Sequence, residues 1–256
     1  MSKLTRSAKS GSEWTSNDLA AFNIHVETES DEQFFGCTLE DVDISDYPAG
    51  ILASEPDRRH PEIYRLLKYL DLAMTIRESE ESAVDDFAAH LFEALGYVDL
   101  ERFVCTRKDI RLFMCGQNVY AKTDVCIMTE NEILLLLQED KSHINPVDPE
   151  PQLIAEAIAA FQNNNKVRER FLNVPPLPEY TFPCITMIGT YPTFYKITVD
   201  EQLSRDVQFG NYPSKQTLVR RFEPISGRRR HSFGMKPIDN RIRILKAFKA
   251  FRPFMQ

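Results

Sequence analysis

Asp124, Glu139 and Lys141 are the residues of this chain whose types and spacing best suit chemistry. They fall in a segment, 120–141, that reads as a β-hairpin with a turn around Thr129-Glu130-Asn131-Glu132. If the turn centres between Asn131 and Glu132, residue i faces residue 263 − i, and Asp124 faces Glu139. Directly opposed residues share a face and lie about 5 Å apart. Alternation along the strand then puts Lys141 beside Glu139. A slip of one residue would bring Gln138 or Asp140 to that place instead. Two carboxylates held so close repel unless a cation sits between them. Hard oxygen donors suit Mg2+ or Mn2+. A lysine alongside could orient a water and stabilise charge on a phosphate, so the trio is the minimum equipment for metal-assisted phosphodiester hydrolysis.

The surrounding pattern says what positions these residues. Ile63, Leu66, Leu67, Leu70 and Met74 recur at helical spacing. A second helix is expected from about Ser79 to Leu95, with Val84, Phe87, Ala88, Leu91 and Leu95 on its apolar side and Gly96 as its stop. Residues 101–137 switch to strand character in four runs, RFVCTRK, IRLFMC, VYAKTDVCIM and EILLLLQ. Five apolar residues in a row, 133–137, predict a strand covered on both faces. Charges at the end of such a strand mark a site rather than a solvated face. Asp148-Pro149 opens another helix that ends at Asn163-Asn164-Asn165. Two strands, CITMIG and TFYKITV, and a C-terminal helix over 238–251 complete the order. The expected fold is α/β, a mixed central β-sheet of five or six strands flanked by helices on both sides.

With these elements in place, residues 81 to about 162 resemble the PD-(D/E)XK nuclease superfamily and its restriction-endonuclease-like core. The match rests on E-S-A-V-D-D-F-A-A-H-L on the helix, K-T-D-V-C-I on one strand and L-L-L-L-Q-E-D-K on the next. The resemblance implies Asp124, Glu139 and the backbone carbonyl of Asp140 as metal ligands. It implies Glu81 as a supporting or second-metal carboxylate, Lys141 as the water-orienting cation and Gln152 as an auxiliary glutamine. Glu80 and Asp85 compete with Glu81 for the helix position, and Thr123 stands where many members have proline. The G-T-Y-P-T-F-Y-K-I run and basic tail are similar to those of uncharacterised fungal members. The implied activity is that of a Mg2+- or Mn2+-dependent nuclease acting on DNA or RNA. The alternative is an inactive nuclease fold serving as a nucleic-acid-binding or protein-interaction module.

Charge is unevenly spread. The chain carries −7 overall, yet residues 201–256 hold 13 Lys/Arg against 4 Asp/Glu. Residues 11–50 hold ten acidic residues and no Lys or Arg. Such separation makes a strong local field whatever the total. Lys196, Arg228, Arg229, Arg230 and Lys246 are therefore candidate phosphate contacts. The Arg228–Arg230 cluster with His231 can also be read as a nuclear-localisation patch or a solvated face. Residues 1–55 read as an acidic, partly disordered arm and 56–256 as the nuclease-like domain. Phe34 and Phe35 are expected to anchor the arm, which could cover the basic region or meet a protein partner. His143 and the Tyr191–Lys196 run have plain readings beside functional ones, as a loop histidine and a core strand. The five cysteines form no metal-ligating pair and read as reduced thiols. No signal peptide or membrane span is evident, which points to an intracellular protein, nuclear or cytoplasmic.

Overall fold

The computed structural model describes residues 6–48, 50–53, 57–75, 83–139, 148–227 and 230–255. Seven strands form one mixed sheet: β1 (Ile24–Thr28), β2 (Phe103–Met114), β3 (Gln117–Met128), β4 (Ile133–Glu139), β5 (Glu179–Ile188), β6 (Tyr191–Asp200) and β7 (Thr217–Phe222). Their order across the sheet is β1-β7-β6-β5-β4-β3-β2. The strands β2, β3 and β4 are an antiparallel meander, as are β5, β6 and β7. The two meanders join where β4 pairs in parallel with β5, through a crossover that contains α5 (Glu150–Val167). The expected α/β class with a mixed, helix-flanked sheet is what the chain adopts.

All seven residues of β4 are buried, because the strand is covered on both faces. Leu135 and Leu137 pack with α3 (Pro61–Ala73), α4 (Ala83–Ala94) and α8 (Ile238–Phe251). Leu136 packs on the other side, against α5. Each fully buried Leu contributes about 1.5–3 kcal/mol relative to exposure, so this strand is a rigid support for whatever stands at its end. One asparagine ties it to the crossover. Asn164 of α5 accepts from the Ile133 N–H at 3.0 Å and donates to the Ile133 carbonyl at 2.8 Å, as a neighbouring strand would. The helix therefore runs on to Val167 rather than ending at the three asparagines.

Helix α4 stops at Gly96, whose φ of +70° needs no side chain. The runs RFVCTRK and IRLFMC are a single strand, β2, which at Arg107 takes a left-handed φ of +52°. Two further elements fall in the basic region that begins at residue 201. One is α6 (Glu201–Phe209), capped by Asp200 accepting from the Leu203 N–H and closed by Gly210. The other is β7, whose Val219 and Phe222 are buried on opposite faces of the sheet, with Arg220 and Arg221 between them.

The N-terminal arm is folded into the domain. Trp14, 1% exposed, stacks on Phe22 at 5.5 Å. Gly11 lies so close to β3 that a Cβ there would be 2.9 Å from the Ala121 Cβ. β1 pairs in parallel with β7, so the arm supplies an edge of the sheet. Phe34, on α2 (Asp31–Phe35), is fully buried and stacks on Phe222 and Phe251. These anchors bury enough apolar surface to outweigh the entropy of ordering the polar, acidic segment that carries them. No helix among the described residues is long and apolar enough to cross a membrane.

Candidate metal centre

Three carboxylates meet at the C-terminal end of β4. Asp85 of α4, Asp124 of β3 and Glu139 of β4 each bring an oxygen within 4.8 Å of the others. Asp85 and Glu139 are buried, with 5% and 8% exposure, and Asp124 is half-buried. Asp124 is further held by β4: its Oδ2 accepts from the Glu139 backbone N–H at 2.9 Å and from the Gln138 side-chain Nε2 at 2.5 Å.

The acids gather by a different route from the one the spacing suggests. The ladder pairs Val125 with Leu137, Cys126 with Leu136 and Ile127 with Leu135, then shifts at Ile127/Met128. Continued outward, that register sets Asp124 level with Gln138, one residue off the expected Glu139. A regular strand would then turn Asp124 and Glu139 to opposite faces. Regularity fails at this point. Ala121 packs with the α5 side and Thr123 meets Glu156 of α5, yet Val125, two residues on, packs with the α4 side. Alternation therefore breaks around Asp124, and its carboxylate joins the α4 face. Arg107, with its positive φ, stands across from it between the pairs Thr106–Val125 and Lys108–Thr123. Left-handed backbone at a bulky residue is uncommon and clusters at functional sites.

Among the described residues, the helix carboxylate that reaches the group is Asp85, one of the competing candidates. Glu81, the backbone of Asp140, Lys141 and His143 lie outside the described residues. Gln152 is not part of the carboxylate group. Its Nε2 donates to Glu156 Oε1 at 3.1 Å and to the Lys122 carbonyl at 3.4 Å, on the α5 side. Glu156 is the residue that sequence reasoning passed over. It is fully buried, and one of its oxygens has no hydrogen-bond partner among the described residues. Burial holds its carboxyl well above the usual carboxylate range. The Asp124 charge pushes the same way, and hydrogen bonds from Gln152 and Thr123 oppose it. Its signal in the sequence was a single acid inside the apolar helix run L-I-A-E-A-I-A-A.

Three of the candidate phosphate contacts, Lys196, Arg230 and Lys246, are spent on protein groups. Lys196 donates to the Phe34 carbonyl and sits 3.5 Å from the centre of the Phe254 ring. Burial lowers its amine to about 8, and neighbouring Arg220 adds to the effect. Lys246 donates to the Glu40 carbonyl at 2.7 Å, and Arg230 pairs with Glu223 at 3.1 Å. Arg228 and Arg229 lie outside the described residues. Other cations of this region behave alike: Arg243 meets Glu40 at 3.1 Å, Arg221 meets Glu150 at 3.0 Å, and Lys249 pairs with Asp46. The acidic arm thus docks on the basic helix α8. Tyr191, Phe194 and Tyr195 are buried core residues, as the plain reading of that strand expected.

All three donors of the carboxylate group are hard oxygens, the chemistry that holds Mg2+ or Mn2+. Oxygens on opposite sides of a Mg2+ stand about 4.2 Å apart, so a cluster of this span needs little movement to close on one ion. No protein-family model matches the chain, and no curated protein matches it in sequence.

Proposed function

We propose that the protein is a divalent-metal-dependent nuclease that hydrolyses phosphodiester bonds of DNA or RNA. The observation that carries this reading is the convergence of Asp85, Asp124 and Glu139 from a helix and two strands onto one buried point. Holding like charges together inside a fold is unfavourable unless a cation offsets the repulsion. Mg2+ or Mn2+, held by Asp124 and Glu139 with Asp85 as third carboxylate, would supply Lewis-acid stabilisation of the phosphoryl group and a more acidic water. The chain's own residues do the positioning. β4 fixes Glu139, and Gln138 and the Glu139 N–H orient the Asp124 carboxylate. Lys141, two residues beyond Glu139, is assigned the task of orienting the attacking water.

The test is cleavage of plasmid, linear and single-stranded substrates with Mg2+ or Mn2+, with EDTA as control. Lys141→Ala and Asp124→Asn are run alongside. Metal-dependent cleavage lost in both variants is expected. Cleavage retained in both would overturn the assignment.

A further inference from the structure

We propose that the uncovered face of the β2–β3 hairpin docks an unpaired polynucleotide strand and leads it to the carboxylate group. The inference deepens the nuclease reading and rests on it for the fate of the strand, though binding itself requires no chemistry.

One face of this hairpin is committed to the core, with Ile110, Leu112 and Ala121 packed on the α5 side. The opposite face is open: Asp109, Arg111, Tyr120 and Lys122 are all exposed, Tyr120 by 53%. Register makes these four a patch, since Arg111 opposes Tyr120 and Asp109 opposes Lys122. The patch runs straight into the candidate site. Lys122 is two residues from Asp124, and exposed Arg107 stands level with that acid. At about 3.3 Å per residue, Tyr120 is roughly 13 Å along the strand from Asp124.

The state of the cations separates this surface from the rest of the molecule. Arg107, Arg111 and Lys122 form no side-chain hydrogen bond or ion pair among the described residues. On the basic C-terminal helix, by contrast, Arg243, Lys246 and Lys249 are occupied by the acidic arm. A phosphate approaching α8 must displace a partner, whereas one approaching the hairpin displaces only water. Three cations against one acid, Asp109, give the patch a positive balance beside a negatively charged site. Cations for phosphates next to an exposed ring for a base is the equipment used on single strands. A duplex keeps its base faces stacked and would leave Tyr120 without a role.

The experiment is fluorescence anisotropy of labelled DNA and RNA oligonucleotides of about 16 nucleotides. Single strands and duplexes are compared with the full chain in EDTA, so that nothing is cleaved. The protein is expected to bind a single strand, less tightly as salt rises. The Arg111→Ala/Lys122→Ala double variant should bind at least about tenfold more weakly, with a log–log salt slope smaller by about 1.4. Tyr120→Ala should weaken binding by about 5-fold or more, the loss of one stacked base. Lys246→Ala should stay within about twofold, because its amine already serves the Glu40 carbonyl. The charge-preserving Arg111→Lys/Lys122→Arg variant should restore binding, which a merely structural defect would not. No binding of either single strand, preference for duplex, or unchanged affinity in the double variant would overturn the surface. Strand binding that follows these variants while Mn2+-dependent cleavage is absent would support the surface and overturn the catalytic reading alone.

Discussion

Replacing Asp85 by Asn tests the carboxylate group without any substrate. A pair of unit charges at 4.8 Å, the outer distance in the cluster, repels by about 3.5 kcal/mol at an effective dielectric of about 20. Neutralising Asp85 relieves two such pairs, about 7 kcal/mol before solvent screening at half-buried Asp124 and the acids' other partners cut it severalfold. Two effects oppose it. Asp85 lies in the first turn of α4, where a negative charge is favoured by about 0.3–1 kcal/mol. The carboxylate also gives up hydrogen bonds that an amide replaces imperfectly, at about 1–2 kcal/mol. Repulsion is the larger quantity, so Asp85→Asn should be more stable than the parent in EDTA, by about 1–3 kcal/mol. For a chain of this size that is a rise in Tm of about 2–12 °C, read by circular dichroism. Manganese should reverse the order. The parent gains about 2.7 kcal/mol at a hundredfold excess over its Kd, and the variant, missing one donor, gains less. A variant that melts below the parent in EDTA and shifts equally with Mn2+ would refute the shared cation pocket.

Other expectations follow from the packing. Phe34→Ala should cost about 3–5 kcal/mol in urea unfolding, because the ring is fully buried against Phe222 and Phe251; a loss under 1 kcal/mol would mean the arm only rests on the surface. Gly11→Ala should cost about 1–3 kcal/mol, since the new methyl group meets Ala121 at 2.9 Å and the chain must move off β3. Arg221→Ala should cost about 1–3 kcal/mol by stranding Glu150, a buried acid whose carboxyl burial already raises. The Lys196 amine should titrate in the folded protein near pH 8, followed by NMR of 13C-labelled lysine. The unfolded chain keeps that proton to about pH 10.4, so between these values the fold binds fewer protons. Relative to Lys196→Met, stability should therefore rise with pH through that window; a titration midpoint above 10 would contradict its burial.

Much of the architecture was legible before any coordinates. Ile63, Leu66 and Leu70 predicted α3, the five apolar residues 133–137 predicted a strand covered twice, and Gly96 marked the end of α4. Each is a local consequence of burial, and local periodicity records burial. Asp124 and Glu139 were recognisable for the same reason: acids at the margin of a buried strand are out of place. What joins them could not be read locally. The register is shifted by one residue through an irregularity at Ile127/Met128, and alternation breaks around Asp124 opposite a left-handed Arg107. Either change alone would have sent the carboxylates to different faces. That Asp85 reaches the group was likewise decided by how α4 lies on the sheet.

The destiny of the cations was the least legible feature. Composition showed a basic end and an acidic beginning, but not that they meet. Arg243 finds Glu40 across 203 residues of sequence, so a charge count marked the C-terminal region for phosphate while the fold had already paired it. On β2 and β3, cations of the same type escaped notice because nothing in their spacing sets them apart. Sequence determines which side chains must be buried and which charges exist. Only the tertiary structure decides which charges neutralise one another, because partners are chosen by distance in space, and that distance is fixed by packing far along the chain.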